Sequence, residues 1–499
     1  MKMKSFWKYL TILVLLLLGL ACVGILYLFF VPNSSLFGIT YISYNEDKPS
    51  SAYNIISEDS PYKNLKAVSI NANKFRTKVV KGEGSSVSVK VHNGMFGFVL
   101  NKNKNLTITE KIENDTLIFT ISEPHGLAAR GGSEIELRIP ENSNLGLIIE
   151  NYKADTSIDA EGININSLSY KTNAGNFSFN KGSINGLMEL SLGRASFEIK
   201  PEVKTNNNNV VLSLTSGCLD CTNVTFGDIT ITSSTSGIVR AASCNSLLAN
   251  TNDAGGKVNI GKVENINYVS SDTEIKIDNL KFGFIDLNKS GKVEIGTVNG
   301  ATTINTKSGE VRINNLLDNL IYTSDSGNLT IGSAKTAVSA STVTGDVNVK
   351  FVVEQTPDLA NPKTLIVSTS KGKVVATGVE RIQLTITDKG SADIGMENVV
   401  GNCWVKSGPG AVNITIKEVA KTVKPEGWAK YILSTESITG NGSVSVNLSS
   451  TEQQNTGGYT DVSEKISYVN GATEECENIL SIIITTGSLK IRDSLTVNY

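Results

Sequence analysis

Two cysteines at a motif-like spacing are the first candidates for chemistry in this 499-residue sequence. Cys218 and Cys221 are separated as in redox and metal-binding motifs. Residues three apart in a β-strand point to opposite faces, however, and a zinc site needs four ligands. The two histidines, His92 and His125, are both more than 90 residues from Cys218. The sequence therefore predicts no metal site, no cofactor and no catalytic residue here.

The number of cysteines beyond the N-terminal apolar segment is odd. They are Cys218, Cys221, Cys244, Cys403 and Cys476. An odd number argues against a complete disulfide framework. The sequence leaves the redox state of these five thiols open.

Two carboxylates at equivalent positions in a repeat suggest glycoside chemistry. Glu310 and Asp346 lie two repeats apart, which places them roughly 9 to 10 Å from each other if the repeats stack. That is the upper edge of the separation in inverting glycosidases. The competing interpretation places Lys292 beside Glu310 and Glu294 beside Arg312, as opposite charges on adjacent strands that stabilise a sheet. We favour the second interpretation and predict no catalytic pair.

Two tryptophans are the candidate contacts for a ligand or a partner. The neighbours of Trp404, which are Cys403 and Val405, compete for the interior, so its indole is expected to point outward. An exposed indole can stack on a sugar or anchor a protein, although ordinary packing is the alternative. Trp428 lies in an insertion that would protrude from a rigid scaffold, where binding residues commonly occur.

A repeat positions all of these residues. Gly291, Gly309, Gly327 and Gly345 are each 18 residues apart, and each begins a phrase of alternating polar and apolar residues. Alternation is typical of β-strands with one buried face. A unit this short cannot bury its own apolar face, so successive copies must stack. The sequence therefore predicts an all-β protein, a β-solenoid with coils of about 18 residues.

The phase of the repeat also predicts where each residue points. Ser or Thr nearly always precedes the glycine, which suits a turn with positive φ.

Cys221, Cys244 and Cys403 fall in columns that other repeats fill with Ile, Val or Leu. We expect these three cysteines to be small buried residues, as unpaired cysteines commonly are.

The repeats, together with the segment before them, carry a family resemblance. Ile135-Glu-Leu137-Arg-Ile139-Pro140, followed by the glycine-led phrases, resembles the toast-rack family of adhesin-like bacterial envelope proteins over about residues 65 to 450. The resemblance implies a right-handed β-helix on the cell surface with an adhesive, scaffolding or envelope-stress role. It brings no catalytic residues. After Gly410, insertions depart from the pattern.

An uncharged segment near the N-terminus predicts a membrane anchor. Leu10 to Val31 contains no charge over 22 residues, which as a helix spans roughly 33 Å, enough to cross a bilayer core. Lys2, Lys4 and Lys8 precede it, so the positive-inside rule places the N-terminus in the cytoplasm. We expect a single-pass plasma-membrane protein with its C-terminal domain outside. A cleaved signal peptide and lipidation at Cys22 are the alternatives.

The domain organisation follows from these segments. It comprises a cytoplasmic N-terminus (1–9), a transmembrane helix (10–31), a linker (32–64), a β-strand entry region (65–171), the solenoid repeats (172–450), and an insertion with a C-terminal cap (451–499).

Charge limits the class of partner. The net charge is -2 and no stretch is strongly basic, which argues against nucleic acid as a partner. The predicted function is a non-enzymatic, membrane-anchored, adhesin-like or scaffolding protein whose partner, besides the membrane, is an envelope polysaccharide or a surface protein. A polysaccharide-degrading enzyme and an envelope-stress sensing module are the alternatives.

Overall fold

The structure, a computed structural model, follows the chain through most of the repeats. It describes residues 2–31, 35–36, 39–43, 45–72, 74–100, 106–122, 130–131, 133–141, 143–354, 360–397, 402–407, 410–418, 432–435, 442–450, 459–462, 467–469, 479–484 and 487–493. Two units make up the chain: residues 1–212 with 217–224, and residues 213–216 with 225–499.

One long helix begins the first unit. Helix α1 (Lys2–Phe30) includes a segment, Trp7–Leu28, that is long and apolar enough to cross a membrane. Its apolar side chains are mostly exposed, as in Leu15 and Leu20. By length and composition, this helix could serve as a single-pass anchor or as a signal sequence.

The first unit continues as strands. They are β1 (Ser35–Leu36), β2 (Ile39–Ser43), β3 (Glu46–Pro49), β4 (Tyr53–Asn54), β5 (Ala67–Ala72), β6 (Arg76–Gly82), β7 (Ser86–Asn93), β8 (Met95–Leu100), β9 (Thr107–Glu113), β10 (Thr116–Ser122), β11 (Arg130–Gly131), β12 (Glu134–Pro140), β13 (Asn144–Glu150), β14 (Thr156–Ala174), β15 (Phe177–Ile184), β16 (Met188–Arg194), β17 (Ser196–Ile199) and β18 (Lys204–Thr205). Strands β19 (Val210–Leu214) and β20 (Cys218–Ser234) contribute to both units.

Antiparallel and parallel pairs are combined in the first unit. Strands β1, β2, β8 and β11 form a small sheet, and β7 and β9 pair antiparallel with β12 and β10. Strand β5 pairs in parallel with β10 and β13, and β6 with β12 and β14. From β14 onward the chain stacks in parallel on β15, β16 and β17. Parallel stacking therefore begins at β5.

The second unit consists of strands as well. They are β21 (Ser236–Leu287), β22 (Lys292–Val298), β23 (Thr302–Thr306), β24 (Glu310–Leu316), β25 (Leu320–Ser324), β26 (Leu329–Ala334), β27 (Val338–Thr342), β28 (Val347–Phe351), β29 (Thr364–Thr369), β30 (Lys373–Val379), β31 (Arg381–Ile386), β32 (Ser391–Met396), β33 (Asn402–Ser407), β34 (Ala411–Glu418), β35 (Ile432–Thr435), β36 (Gly442–Ser450), β37 (Tyr459–Val462), β38 (Ser467–Val469), β39 (Ile479–Ile484) and β40 (Gly487–Asp493).

Alternate strands of this unit belong to two different parallel sheets. We call them the even-strand sheet, from β22 to β34, and the odd-strand sheet, from β23 to β33. Each strand pairs with the strand two places later. In the regular coils the register advances by 18 residues, as in Lys292 with Glu310 and Thr303 with Ile321, and across the longer coil it advances by 27, as in Ser339 with Ile366. The predicted fold class, an all-β solenoid behind one apolar helix, is confirmed.

The interior is made of stacked apolar columns. In the even-strand sheet Ile295, Ile313 and Ile331 lie in register and are at most 2% exposed. Each fully buried aliphatic side chain contributes about 1.5 to 3 kcal/mol of transfer free energy. Because every coil contributes to the same columns, the core is continuous along the stack.

In the regular coils, glycine recurs for a different physical reason from the predicted one. Positive φ occurs at Gly175 and Gly256, where the prediction is right. At Gly309, Gly327 and Gly345 φ is not positive, and the prediction is wrong. A Cβ at any of these three would lie closer than 3.0 Å to the carbonyl oxygen of the glycine one coil earlier. The column therefore requires glycine because stacked backbones approach each other there.

Hydroxyls three residues before the glycines close the same turns. Ser324 Oγ accepts the Gly327 N–H at 2.7 Å, and Thr369 Oγ1 accepts the Gly372 N–H at 3.0 Å. Thr342 Oγ1 donates to the Gly345 carbonyl at 2.8 Å. These hydroxyls are buried, so each turn satisfies polar groups that would otherwise be costly to bury.

Candidate functional site

The outward side of the odd-strand sheet carries the most distinctive surface of the second unit. In β23, Ile304 is buried, so its neighbours Thr303 and Asn305 point outward. Since the strands are in register, the residues that match Thr303 and Asn305 form two straight columns. Parallel strands lie about 4.8 Å apart, which sets the spacing along each column.

The first of these columns contains no charged residue. We call it the neutral column, and its members are Phe284, Thr303, Ile321, Ser339, Ile366, Gln383 and Trp404. Ile321 is 52% exposed and Ile366 is 37% exposed. An aromatic residue stands at each end, since Phe284 and Trp404 are both half-buried. Over six strand spacings the column is about 29 Å long.

The second column is also uncharged over five strands. It contains Asn305, Thr323, Ser341, Ser368 and Thr385 between Asp286 at one end and Lys406 at the other. A further charged residue, Arg381, begins β31 at the margin. The two columns therefore form a flat strip of hydroxyl, amide and apolar side chains, with charges confined to its edges.

The even-strand sheet presents the opposite character. Its outward positions include Lys292, Glu294, Glu310 and Arg312 in two adjacent strands. Lys292 Nζ lies 2.5 Å from Glu294 Oε1, and Arg312 Nε lies 2.7 Å from Glu310 Oε1. Hydrogen bonding by Lys292 lowers the pKa of Glu294 below its usual value. Charges are thus paired on the even-strand sheet and lie only at the edges of the odd-strand strip.

These pairs partly correct the expected arrangement. The register places Lys292 beside Glu310 and Glu294 beside Arg312, as predicted. The hydrogen-bonded pairs, however, form along each strand and not across strands, because residues two apart point to the same side. The Asp346 carboxylate accepts the backbone N–H of Lys373 at 2.8 Å. Both members of the suggested acidic pair are therefore engaged in local structure.

The structure places Trp404 at the end of the neutral column. Cys403 and Val405 on either side of it are buried, so the indole lies on the outward side of β33, as expected. Its role in contact stays a prediction. Trp428 and the surrounding insertion lie outside the described residues.

Sequence reasoning missed the other members of the neutral column. Thr303, Ile321 and Ser339 are 18 residues apart and share a phase, so aligning the repeats at this position could have revealed an uncharged column. Ile366 could not be aligned that way, because the chain between Gly345 and Gly372 is longer than one regular repeat. Only the pairing of Ser339 with Ile366 places it.

The described cysteines beyond helix α1 all lie in strands, and three of the four are buried. Cys221, Cys244 and Cys403 are at most 2% exposed, which confirms the predicted burial, and Cys218 is half-buried. Burial raises the pKa of Cys221 and of Cys244 to about 12. No disulfide joins the described cysteines, and no group of His, Cys, Asp or Glu among the described residues is placed to hold a metal ion. Cys476 lies outside them.

We expect one fast-reacting thiol in the native repeats. In full-length protein carrying Cys22→Ser and Cys476→Ser, Cys218 should react with Ellman's reagent, while Cys221, Cys244 and Cys403 should react only after denaturation. At pH 8 a thiol with a pKa near 12 is ionised to about one part in 10⁴, and burial adds a steric barrier. Adding Cys218→Ser should remove the fast phase. Rapid reaction of all four thiols in the native protein would contradict the buried assignment.

One family model matches more than half of the chain. The family model described as Toastrack DUF4097 matches residues 64–362. No curated protein matches the chain. A solved structure of a candidate cell adhesion protein from Clostridium sporogenes aligns at 10% identity over 44% of this chain and 100% of its own, with a TM-score of 0.23. A candidate adhesin from Parabacteroides merdae aligns at 10% identity over 72% and 96%, with a TM-score of 0.16.

Proposed function

The chain belongs to the Toastrack DUF4097 family, and from that premise we propose that it is an adhesin-like surface protein that holds a neutral polysaccharide along its odd-strand sheet. The observation that carries the proposal is the neutral column with its uncharged neighbour. In this proposal the protein works by binding and not by catalysis. Helix α1 is its single-pass anchor in the plasma membrane, with the N-terminus in the cytoplasm and the repeats outside.

The absence of charge on the strip favours a neutral ligand. Covering charged side chains costs desolvation free energy, and from β23 to β31 the two columns hold none. An anionic polymer would meet no row of cations there. Hydroxyl and amide side chains such as Thr323, Ser341 and Gln383 can exchange hydrogen bonds with water for hydrogen bonds with sugar hydroxyls.

The dimensions favour a linear chain over a globular partner. Seven strands at about 4.8 Å spacing, each with five residues at about 3.3 Å, give a strip of roughly 29 Å by 16 Å. Its area, on the order of 450 Å², is little more than half of what a standard protein interface buries on each partner. A polysaccharide needs a long, narrow surface, and apolar or aromatic side chains such as Ile321, Ile366 and Trp404 can pack against sugar rings.

Binding should weaken when the column is made charged or loses its aromatic end. We expect Ile321→Lys combined with Ile366→Lys to reduce binding to neutral polysaccharides at least tenfold, because each lysine would lose hydration under a neutral chain. Trp404→Ala should reduce it about three- to tenfold. The measurement is a pull-down and a glycan array with the full-length chain in lauryldimethylamine oxide, a detergent without sugar groups.

A matched control shows whether the loss of binding depends on a charge on the odd-strand sheet or on a charge anywhere on the solenoid. Asn348→Lys, compared with Ile321→Lys alone, puts the same single charge on an exposed strand position of the even-strand sheet, and should leave binding within twofold. Equal losses in the control and the column variants would overturn the placement of the site. Binding only to anionic polymers would overturn the ligand class, and release of sugar products would indicate an enzyme.

A further inference from the structure

A polar cavity opens in the second unit where the chain passes from β28 to β29. Its volume is about 500 Å³, within the range of about 300 to 1,000 Å³ for small-molecule sites. The described residues that line it include Asn319, Thr336, Glu354, Lys363 and Glu380. The sequence analysis singled out none of them.

A buried ion pair forms the wall of this cavity. The side chains of Lys363 and Glu380 are 5% and 3% exposed, and Lys363 Nζ lies 3.4 Å from Glu380 Oε1. The other carboxylate oxygen of Glu380 accepts the Lys363 backbone N–H at 2.9 Å. Glu354, at the half-exposed rim, lies 3.7 Å from the same ammonium. The pair is therefore held in place by the backbone where the longer coil rejoins the stack.

The cavity has hydrogen-bonding capacity that the described residues leave unused. The Lys363 ammonium has three N–H donors, and among described residues one acceptor lies within hydrogen-bond distance of it. The hydroxyl oxygen of Thr336 is buried and has no partner among them. A buried hydroxyl without a partner costs free energy, and the Thr336 side chain would recover it by turning to hydrogen-bond a ligand in the cavity.

The balance of charges selects a neutral ligand. Among the described residues, the lining contains two lysines, Lys335 and Lys363, and three carboxylates, Asp318, Glu354 and Glu380. Because both signs lie close together, an ion of either charge would meet like charges as well as opposite ones. A ligand rich in hydroxyls can donate to the carboxylates and accept from Lys363 and Thr336 at once.

The cavity also adjoins the neutral column. Asn319, Ala337 and Thr364 line it, and each comes two residues before a member of the column, namely Ile321, Ser339 and Ile366. We infer that the cavity is a subsite for one neutral sugar residue, at the end or on a branch of a polysaccharide bound along the neutral column. This inference rests on the proposed function and specifies it further.

The test uses free monosaccharides, which are too small to bridge the column. Full-length protein in lauryldimethylamine oxide is titrated with glucose, galactose, mannose and N-acetylglucosamine by saturation-transfer NMR. We expect at least one to bind saturably. Thr336→Val should weaken it about three- to tenfold through one lost hydrogen bond. The double variant Lys363→Met with Glu380→Gln removes both charges and keeps an acceptor for the Lys363 backbone N–H, and should abolish binding.

A third variant separates this inference from the proposed function. Trp404→Ala, two strands beyond Ile366 in the column, should weaken polysaccharide binding but leave monosaccharide binding within twofold. If no monosaccharide binds, or binding is unchanged in both cavity variants, the subsite is wrong even where the column variants lose the polymer. If a monosaccharide binds in the cavity but polysaccharide binding does not change in the column variants, the subsite is supported and the neutral column is not the polysaccharide-binding surface.

Discussion

Gly327→Ala is expected to lower the free energy of unfolding by about 3 kcal/mol or more. The added Cβ would lie closer than 3.0 Å to the Gly309 carbonyl oxygen, and 2.7 Å from Ser324 Oγ. Neither neighbour can move freely. The Gly309 carbonyl belongs to the stacked backbone, and Ser324 Oγ already accepts the Gly327 N–H. The clash could be relieved only by moving the two coils apart, which would break the backbone hydrogen bonds between them.

The matched control is the same substitution at a glycine with space around it. A Cβ at Gly395 would find its nearest atom at 3.7 Å, an ordinary contact, and φ there is not positive. Gly395→Ala should therefore be neutral or stabilise by up to about 1 kcal/mol, by restricting the unfolded chain. Urea denaturation of the full-length protein, followed by circular dichroism, measures both. Equal stabilities of the two variants would show that the glycine column is not set by backbone contact.

Glu380→Gln is expected to cost about 3 to 5 kcal/mol, because it leaves the buried Lys363 ammonium without its close carboxylate. The amide keeps the size of the side chain and can still accept the Lys363 backbone N–H. The loss would therefore report on charge and not on packing. Glu354 lies 3.7 Å away at the rim and offsets only part of it.

An exposed pair in the same unit supplies the control for that experiment. Lys371 Nζ and Asp388 Oδ2 are 3.6 Å apart, with side chains 59% and 40% exposed. Asp388→Asn should cost no more than about 1 kcal/mol, since water screens the pair. Lys363→Met with Glu380→Gln should recover most of the stability lost in Glu380→Gln alone, because the amide still accepts the Lys363 backbone N–H and no charge is left unpaired. Similar urea midpoints for Glu380→Gln and Asp388→Asn would contradict the burial of the pair.

Both Gly327→Ala and Glu380→Gln are expected to destabilise the coils around them before they unfold the rest of the unit. In a stack of coils each repeat contacts only its neighbours, so stability is close to a sum of coil and interface contributions. Hydrogen exchange should accelerate first in β23 to β26, the strands that flank Gly309 and Gly327, for Gly327→Ala, and in β29 to β31 for Glu380→Gln.

Much of the fold follows from the sequence because the repeat is short and regular. Eighteen-residue spacing of glycine-led alternating phrases has few solutions other than stacked coils, and the strands that carry Gly309 and Gly327 are in the predicted register. The burial of Cys221, Cys244 and Cys403 follows from the same phase. The backbone conformation at the glycines was harder to predict. A close approach between coils and a positive φ both favour glycine, so the sequence alone does not tell them apart.

By itself the sequence determined the apolar helix, the strand period, the coil length and which side of each strand is buried, since these depend on spacing within one or two repeats. Only the tertiary structure decided which outward residues share a column, because the longer coil between Gly345 and Gly372 shifts the phase of everything after it. Ser339 meets Ile366, and Lys363 meets Glu380, through pairing between coils. The neutral column and the cavity are therefore properties of the stack, in which neighbours along the column come from different turns of the chain.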